Sequence, residues 1–370
     1  MKVKGSVIAL LISSVLVIGI GAAYFTYGMP FLNFMYNKLP NGKAQGVYVV
    51  EKGSPLIDMS SYRKNENEPQ PTYVPSSTPE PEQLGKFGDL REQAYVDFAL
   101  SPNARNILVI GADESAGLTD SIFIVSIDQS ANTIKIISIP RDTYVVYDEK
   151  IVSALQKIGW YENKGIQKLN IAKLIGSDVI NFKGGEFDNR GINFLCEVIE
   201  QMLGDSFHID DYVYVDFDGF MDMVKIFGGI WLTVDENIYN QYGQLLVPKG
   251  RNYLSPKEAL FYVRTRKRFD SEGNNLGSAG DSYRKELQIE FIKEMITQYV
   301  TKENISKASE ILTSLRGSVY HSISTMDKLS YYTKLATEYT NKKYFVDFMV
   351  ITGVEIDPFG DGASYVQIIK

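Results

Sequence analysis

Residues 134–144 read IKIISIPRDTY, a run of strand-forming residues that stops at a proline and is followed at once by an arginine and an aspartate. β-branched residues favour strands, and proline has no N–H group to extend a ladder. The strand is therefore predicted to end near Ile139 and to present Arg141 and Asp142 at its carboxyl end. A planar, permanently charged guanidinium suits two-point binding of a phosphate or carboxylate. For this stretch alone, an ordinary surface ion pair is the alternative interpretation.

The composition is that of a chain that can bury a sizeable core. It has 370 residues, of which 44% are hydrophobic and 22% charged, and its formal net charge is −7. This charge argues against a general nucleic-acid binder, which would present a basic face. Cys196 is the single cysteine, so no disulfide can form within the chain. The chain has only two histidines, His208 and His321, so a zinc site of the usual Cys/His kind is disfavoured. A metal would instead be a hard cation held by carboxylates.

The N-terminal segment has the pattern of a membrane anchor. Two lysines lie in residues 1–5, and no charged residue occurs from 5 to 37. The apolar run would span about 33 Å as a helix, against about 30 Å for the hydrocarbon core of a bilayer. We therefore predict a cytoplasmic tail at 1–5 and a single transmembrane helix at 6–28, with the main domain outside the cell membrane. A signal peptide cleaved near Gly21-Ala22-Ala23 is the alternative.

A proline-rich segment follows the predicted anchor. Residues 65–82 read NENEPQPTYVPSSTPEPE and hold five of the 13 prolines, so they are expected to be extended and to bury no core. We interpret residues 29–86 as an extracytoplasmic linker, proline-rich from about 65, and residues 87–370 as one catalytic domain. An ectodomain with a single cysteine fits the surface of a Gram-positive-type bacterium.

Three short strands open the predicted domain. Residues 106–111 and 121–128 have the pattern of buried strands, and the small-residue loop between them carries Asp113 and Asp120. A turn of about five residues joins the second strand to a third at 133–139, which makes these two an antiparallel hairpin. These runs predict the start of a β-sheet.

A helix and a β-α-β unit follow in the sequence. Residues 188–204 carry apolar side chains at helical spacing, and Cys196 lies on that stripe, so we interpret it as a core residue. A strand at 212–217 is followed by a helix capped by Asp218 and by a strand at 230–234. Together these elements predict an α/β fold with a central mixed β-sheet flanked by helices in a three-layer-like arrangement.

Two arginines follow a well-marked helix. The sequence SPKE at 255–258 is a capping box with proline at the first helical position, so a helix is predicted to run to about residue 263. Arg264 and Arg266 come next in RTRKR, the most basic run of the predicted ectodomain. If the chain is extended there, both arginines point to the same side. A solvated basic turn is the alternative.

A second helix carries three polar residues on one face. A glycine-rich loop at 270–280 leads into it, and Asp281, Arg284 and Gln288 are spaced i, i+3 and i+7. The start of a helix after a glycine loop is suited to binding an anion. This helix is therefore a second candidate for a phosphate site.

Taken in order, these motifs resemble those of the LytR-CpsA-Psr family of cell-wall assembly proteins. The resemblance covers roughly residues 103–340. It is carried by NILVIGAD and TDSIFIVSID for the first strands, IISIPRDTYV for the central motif, DFDGFMDMVKIFGGIWLTV for the β-α-β unit, LVPKGRNYLSPKEALFYVRTR for the arginine pair and GDSYRKELQ for the last helix. Six motifs in this order, with one N-terminal anchor, make the resemblance specific.

The resemblance implies a membrane-anchored, extracytoplasmic transferase. Members of the family move a glycopolymer, either a teichoic acid or a capsular or secondary polysaccharide, from a polyprenyl-pyrophosphate carrier to peptidoglycan, usually with Mg²⁺. The acceptor is typically the 6-hydroxyl group of N-acetylmuramic acid, and the product is a phosphodiester. Breaking a pyrophosphate requires charge neutralisation more than covalent chemistry, which suits an arginine cluster.

The resemblance also implies a role for each site residue. Asp113 and Asp120 would hold Mg²⁺, which prefers oxygen ligands. Asp142 or Asp113 would accept the hydroxyl proton. Asp281 and Gln288 would orient the charged groups. The catalytic set is Arg141, Asp142, Arg264, Arg266, Arg284 and Gln288. The pyrophosphate-binding set is Arg141, Arg264, Arg266, Arg284 and Asp281.

Two positions depart from the family pattern. Arginines usually follow the first aspartate and precede the second, but these places hold Glu114 and Thr119. The expected consequence is weaker phosphate binding, a stronger need for metal or a different donor, with Lys267 or Arg268 as candidates to compensate. Two alternatives to the transferase stay open. One is a hydrolase that cleaves polyprenyl pyrophosphate with water, and the other is a non-catalytic regulator of cell-wall assembly that binds a lipid-linked glycan.

Overall fold

The computed structural model divides into two compact units. The first unit contains the described residues within Asn103–Ile136 and Ile209–Val346. The second contains those within Ile137–His208 and Asp347–Lys370, together with residues 48–51 and Leu56. The structure describes residues 48–51, 56, 101, 103–113, 118–203, 207–278, 280–301, 303–304, 315, 319–323, 325–341, 344–351, 353–357, 359, 362 and 364–367.

The described residues form sixteen strands and six longer helices, each helix having nine residues or more. The strands are β1 (Tyr48–Glu51), β2 (Arg105–Asp113), β3 (Leu118–Asp128), β4 (Thr133–Ile139), β5 (Ile180–Lys183), β6 (Asp211–Val215), β7 (Ile230–Val234), β8 (Ile238–Tyr239), β9 (Leu245–Val247), β10 (Gly250–Leu254), β11 (Lys267–Phe269), β12 (Asn275–Ser278), β13 (Val319–His321), β14 (Phe345–Val350), β15 (Val354–Ile356) and β16 (Tyr365–Gln367). The helices are α1 (Glu149–Lys157), α2 (Arg190–Leu203), α3 (Phe217–Ile226), α4 (Pro256–Arg264), α5 (Gly280–Tyr299) and α6 (Met326–Asn341).

The first unit is built on a mixed β-sheet in the order β13-β6-β2-β3-β4-β14. Strand β2 pairs antiparallel with β3 and parallel with β6, and β13 pairs antiparallel with β6. Residues 106–112 and 119–128 are buried without a break, so both faces of β2 and β3 are covered. The predicted α/β fold with a central mixed sheet is confirmed. Strands β4 and β14 begin in this unit, and their last residues are counted with the second.

A β-bulge interrupts the hairpin formed by β2 and β3. The register pairs Gly111 with Ser121 and then Ala112 with Thr119, so Asp120 is the extra residue of β3. A bulge re-aims the side chain at its position and is common beside active sites. The bulge therefore fixes where the Asp120 carboxylate leaves the sheet.

The other end of the same sheet is held by a buried carboxylate. Asp211 is fully buried and accepts hydrogen bonds from Arg105 Nη2 at 2.6 Å, from the Tyr332 hydroxyl at 2.8 Å and from the Ser322 hydroxyl at 2.9 Å, with Lys328 Nζ as a further donor. Burial acts to raise the pKa of Asp211, but the hydrogen bonds from Lys328 and Arg105 outweigh it, so the pKa is lowered. This network joins β2, β6 and α6.

The cap of helix α3 lies two residues earlier than predicted. The side chain of Asp216 accepts a hydrogen bond from the Gly219 N–H at 2.7 Å, which makes Asp216 the cap and Phe217 the first helical residue. The prediction of Asp218 as the cap is therefore wrong. Both aspartates have capping chemistry, and the end of β6 at Val215 decides between them.

The starts of α4 and α5 show one confirmed motif and one difference. The predicted capping box is present, with the Ser255 N–H donating to Glu258 Oε2 at 2.8 Å. The stretch 270–280, predicted as a glycine-rich loop, contains strand β12, which pairs antiparallel with β11. Helix α5 then begins at Gly280.

The second unit contains backbone that was predicted to be linker. Within the interval 29–86, strand β1 pairs parallel with β5, and Leu56 is buried. The Leu56 N–H donates to Gln201 Oε1 at 3.0 Å, and its carbonyl oxygen accepts from the Asp148 N–H at 3.0 Å. These partners are distant in sequence, so no local pattern indicates them.

The second unit also has helical structure that the sequence analysis did not predict. The side chain of Asp148 accepts a hydrogen bond from the Lys150 N–H at 3.0 Å and caps α1. Between α1 and α2 the chain is helical but irregular, with 3₁₀ geometry over Leu169–Ile171, α geometry over Ala172–Leu174 and π geometry over Ile175–Val179.

The predicted N-terminal tail at 1–5, the anchor at 6–28 and the proline-rich segment from about 65 to 86 lie outside the described residues. In the part of the chain that the structure describes, no helix has both the length and the apolar character needed to cross a bilayer.

Candidate functional site

Gln288 on α5 joins three elements of the first unit. Its Nε2 donates to the hydroxyl oxygen of Ser121 at 3.3 Å and to the carbonyl oxygen of Val263 at 3.2 Å, and the residue is 1% exposed. Ser121 directly follows Asp120 at the bulge, and Val263 directly precedes Arg264 at the end of α4. One buried amide therefore holds the start of β3 and the end of α4 against the same side of α5.

Arg284 lies one helical turn before Gln288, on the same face of α5. It is 2% exposed and places a permanently charged guanidinium in the protein interior. A buried charge is stable only with compensating polar or ionic contacts. The face predicted from the residue spacing thus holds one buried cation and one buried amide. The side chain of its third member, Asp281, lies outside the described residues.

The guanidinium of Arg264 lies over an aromatic ring. Its central carbon is 4.3 Å from the centroid of Phe217, the first residue of α3. Stacking fixes the plane of an arginine, and its N–H donors lie in that plane. Because α3 follows β6, and β6 is parallel to β2, the contact holds Arg264 at the end of the sheet where β2 also ends.

Arg266 lies two residues further on, beyond a buried threonine. Thr265 is 8% exposed, and its hydroxyl donates to the Phe261 carbonyl oxygen at 3.0 Å, while Arg264 and Arg266 are both half-buried. This alternation is expected where the chain becomes extended. Helix α4 ends at Arg264, one residue later than predicted, and Thr265 is the first residue with extended geometry.

Arg268, a candidate to replace the phosphate contacts of the two missing arginines, is paired with a carboxylate of the protein. Its Nε is 2.8 Å from Glu236 Oε1, and its Nη2 donates to the second oxygen of the same carboxylate. The same carboxylate also accepts a hydrogen bond from Tyr283. This bond adds to the effect of burial in raising the pKa of Tyr283. The charge of Arg268 is matched locally, so of the two candidates only the exposed Lys267 remains.

Asp120, the residue before Ser121 in β3, carries a buried carboxylate. It is 4% exposed, whereas the side chain of Asp113, at the end of β2, lies outside the described residues, as does Glu114. Within the described part of the chain, no group of three or more His, Cys, Asp and Glu side chains is arranged to hold a metal ion. Mg²⁺ often takes only one or two carboxylates, with waters and phosphate oxygens as its other ligands. The Asp120 carboxylate and Ser121 hydroxyl are oxygen donors of the required kind.

In the second unit, Arg141 and Asp142 form a charged cluster with Lys168. Arg141 Nε is 3.6 Å from Asp142 Oδ2, and Lys168 Nζ is 3.1 Å from Asp142 Oδ1. The Lys168 ammonium also lies 5.1 Å from the centroid of the Tyr365 ring. A carboxylate that lies between two cations is suited to orienting them.

The turn that carries Arg141 is fixed through its main chain. The Thr143 N–H and hydroxyl both donate to the Pro140 carbonyl oxygen, at 3.1 and 2.6 Å. The Asn170 N–H donates to the Arg141 carbonyl oxygen at 3.0 Å. Lys168 was not among the predicted site residues. The only sequence signal for it is the KLN motif at 168–170, which carries this main-chain contact.

The described contacts of Cys196 and His208 involve neither the Gln288 contacts nor the charged cluster of Arg141, Asp142 and Lys168. Cys196 is buried in α2, and burial raises the pKa of its thiol, so its interpretation as a core residue is confirmed. His208 Nδ1 is 3.0 Å from Glu200 Oε1.

The model of the LytR_cpsA_psr family matches residues 80–369. The chain belongs to this family. The match begins seven residues before the predicted start of the domain at 87. It includes Arg141, Asp142 and Lys168 as well as the residues around Gln288.

Curated relatives within the family carry transferase names. The polyisoprenyl-teichoic acid–peptidoglycan teichoic acid transferase TagV of Bacillus subtilis (strain 168) is 27% identical over 282 residues, which are 74% of this chain and 62% of TagV. The chain thus matches less than two thirds of the length of TagV. A TagU transferase of the same name from Oceanobacillus iheyensis is 28% identical over 254 residues, 68% of each chain.

Solved structures agree with the family assignment. The crystal structure of B. subtilis TagV has a TM-score of 0.51 and 26% sequence identity, and the likeness covers 72% of this chain and 92% of that one. A Streptococcus agalactiae protein, gbs0355, has a TM-score of 0.52 at 20% identity, covering 73% of this chain and 83% of that one. The second likeness supports the fold alone.

Proposed function

We propose that this chain transfers a glycopolymer from a polyprenyl-pyrophosphate carrier to peptidoglycan and forms a phosphodiester. The observation that carries the proposal is the buried Gln288 amide, which bonds to Ser121 and Val263. These two residues are next in sequence to Asp120 and Arg264, and the buried Arg284 lies one turn earlier on the same helix. The names of the TagV and TagU relatives support teichoic acid as the polymer. A capsular or secondary polysaccharide would present the same pyrophosphate to the site.

The chemistry requires one phosphorus–oxygen bond to form and one to break. The acceptor hydroxyl oxygen attacks the phosphorus that carries the glycan, the bond to the polyprenyl phosphate breaks, and polyprenyl monophosphate leaves. Negative charge grows on the leaving phosphate, and Arg264, Arg266 and Arg284 are assigned to neutralise it. The hydroxyl proton passes to a carboxylate, for which Asp113 and Asp142 are the candidates.

The remaining site residues are assigned from the family motifs. Arg141 is assigned to pyrophosphate binding, and Lys168, through Asp142, is assigned to keep the turn that carries Arg141 in order. Asp281 is assigned to the pyrophosphate end of α5. These roles extend the resemblance residue by residue, and each can be tested by substitution.

Mg²⁺ is proposed as the cofactor, held by Asp120 with Asp113. When bound, it supplies positive charge at the phosphate oxygens during transfer. The replacement of two family arginines by Glu114 and Thr119 removes cations from this region. The chain is therefore expected to depend on the metal more strongly than relatives that keep both arginines.

The carrier lipid fixes the proposed location. A polyprenyl pyrophosphate is embedded in the membrane, so its enzyme must act at the bilayer surface. We infer a single-pass anchor at 6–28 with the N-terminus in the cytoplasm and the main domain outside, in a Gram-positive-type bacterium.

The full-length chain, reconstituted in bilayers with a synthetic polyprenyl-pyrophosphate glycan and peptidoglycan, tests the proposal. We expect Mg²⁺-dependent glycan attached to peptidoglycan and a matching amount of polyprenyl monophosphate. The variant Arg266→Ala should lose this product, whereas Lys257→Ala, which removes an exposed lysine on α4 of the same unit, serves as the matched control. Monophosphate released equally with and without peptidoglycan would identify a hydrolase, and binding without turnover would identify a glycan-binding regulator.

A further inference from the structure

Two aromatic side chains stand side by side on the outer face of the ribbon formed by β7 and β10. Trp231 and Tyr253 are direct partners in the antiparallel register, with ring centroids 5.2 Å apart. They are 46% and 49% exposed, whereas the next residues, Leu232 and Leu254, are buried. Aromatic pairs usually stabilise a sheet by burying their area. This pair leaves about half of its surface open to a partner.

Trp231 is held in place through its main chain. The Trp231 N–H donates to Gln298 Oε1 at 3.1 Å, and Gln298 Nε2 donates to the Trp231 carbonyl oxygen at 2.6 Å. The side-chain amide thus takes the place of a neighbouring strand. The backbone that carries the indole is therefore held in place before any partner binds, which lowers the entropic cost of binding.

Tyr253 lies over a turn that requires glycine. A Cβ atom on Gly229 would come within 2.7 Å of Tyr253 Cζ, and this glycine has a φ of +139°. A Cβ atom on Gly228 would lie 3.1 Å from the Tyr253 hydroxyl. The two glycines therefore provide a close support for the ring, which again limits its motion.

The next cross-strand pair adds hydrogen-bonding groups without net charge. Arg251 lies opposite Thr233, and its Nη1 is 3.3 Å from Thr233 Oγ1 and 2.9 Å from Glu294 Oε1. The Arg251 and Glu294 side chains are 48% and 23% exposed, so both can reach a partner in solvent. Aromatic surface beside donors and acceptors of zero net charge suits a neutral, hydroxyl-rich chain better than a polyanion.

We propose that this aromatic platform, formed by Trp231, Thr233, Arg251 and Tyr253, binds the glycan strand of the acceptor, a chain of β-linked N-acetylhexosamines. The apolar faces of the sugar rings would lie on the two aromatic rings, and the hydroxyl and amide groups would bond to Arg251 and its partner carboxylate. The proposal rests on the proposed function, because it names a second contact for that acceptor.

The platform is separate from the arginine cluster. Gln298, which holds Trp231, lies ten residues after Gln288 on α5, a distance of about 15 Å along the helix axis. A strand several sugars long can span such a distance, so one glycan can contact the platform while another of its sugars is at the arginines. A polymeric acceptor would therefore bind more tightly than a single sugar.

A second copy of this chain is a weaker candidate for the occupant. At 150–250 Å² for each aromatic side chain, the exposed surface of Trp231 and Tyr253 amounts to about 200 Å². A stable protein interface buries about 800 Å² on each partner. The area fits one or two sugar rings far better.

Tryptophan fluorescence reports directly on the platform. The chain has two tryptophans, and Trp160 is 1% exposed, so the emission of Trp231 is the one that a surface ligand can change. The full-length chain, in a detergent without a sugar headgroup, is titrated with β-1,4-linked N-acetylglucosamine oligosaccharides and no donor. We expect a saturable emission shift whose apparent affinity rises with oligosaccharide length.

Matched variants decide the outcome. Tyr253→Ala should raise the Kd about tenfold or more, whereas Tyr320→Ala, which removes a tyrosine that is 47% exposed on β13, should leave it unchanged. Trp231→Ala should lose retention on insoluble peptidoglycan, and Trp231→Phe should keep part of it. The proposal would be overturned if Trp231→Ala and Tyr253→Ala bound the glycan as the wild type does. It would also be overturned if these variants changed the oligomeric state of the protein and not its glycan binding. Donor turnover is measured separately, so failure of the platform and failure of the transferase are distinguishable.

Discussion

The side-chain amide of Gln288 donates to the hydroxyl of Ser121 across 3.3 Å, although 167 positions separate the two residues in the chain. The same amide nitrogen holds the Val263 carbonyl oxygen at 3.2 Å. A single buried side chain thus joins Ser121, next to the β3 bulge, to Val263, which precedes Arg264 at the end of α4.

Replacing Gln288 by alanine is expected to remove a donor from Ser121 and Val263 in a buried place. The free energy of unfolding should fall by about 1–3 kcal/mol, and the transfer rate of the protein that remains folded should fall as well. Urea denaturation and the transfer assay measure the two effects. Gln129→Ala is the control, because Gln129 also makes a long-range bond, to Glu338 at 3.3 Å, but away from the site. A stable Gln288→Ala variant with wild-type transfer would exclude an organising role.

Arg264 is expected to require its planar guanidinium as well as its charge. In Arg264→Lys the positive charge remains, but the stacked fork over Phe217 is lost. The transfer rate should fall by about tenfold or more, and by about a hundredfold in Arg264→Ala. Arg268→Ala provides the control, because that arginine pairs with Glu236. Full activity in Arg264→Lys would mean that a point charge is sufficient.

The two buried aspartates of β3 offer a matched test of the metal site. Asp120→Asn should raise the Mg²⁺ concentration needed for half-maximal transfer by about tenfold or more, because one oxygen ligand loses its charge. Asp128 is also buried, but its Oδ1 accepts from the Ser130 N–H at 2.8 Å in the turn at the other end of the strand. Asp128→Asn should lower stability and leave the Mg²⁺ dependence unchanged. Equal Mg²⁺ dependence in both variants would remove Asp120 from the metal site.

Acid should weaken the first unit through Asp211. Its pKa in the folded protein lies below the ordinary value of 3.8, so its contribution to stability is fully present above that value and is lost as the pH falls through the lowered pKa. Urea unfolding between pH 2 and 7 should show this loss. Asp211→Asn should be less stable at neutral pH and show a shallower acid slope. An unchanged slope in Asp211→Asn would contradict the assignment.

Much of the fold follows from local chemistry that can be read in the sequence. The capping box at 255–258 and the strand at 133–139 have the bounds that their residues indicate. The helical spacing of Arg284 and Gln288 predicted their common face because that relationship lies within one helix. These features depend on neighbours in the chain, and propensity and spacing describe such neighbours well.

The rest depends on contacts between distant residues. The bulge at Asp120 arises from the register of two strands, and Ser121 is known as a partner of Gln288 only once α5 packs on the sheet. Strand β1 lies in an interval that has no partner nearby in sequence. Thr119, at the place of a family arginine, is fully buried, which composition does not indicate. The ion pair of Lys168 with Asp142 likewise arises only through the fold.

The most direct test of the central claim is the transfer rate of Arg141→Ala with the full-length chain in bilayers. Arg141 lies in the motif IISIPRDTYV, and its guanidinium is assigned to the pyrophosphate. We predict that the rate falls by about a hundredfold or more. The control is Arg190→Ala, which removes an exposed arginine of the same unit and should keep the wild-type rate. Transfer by Arg141→Ala at the rate of the wild type would contradict the account.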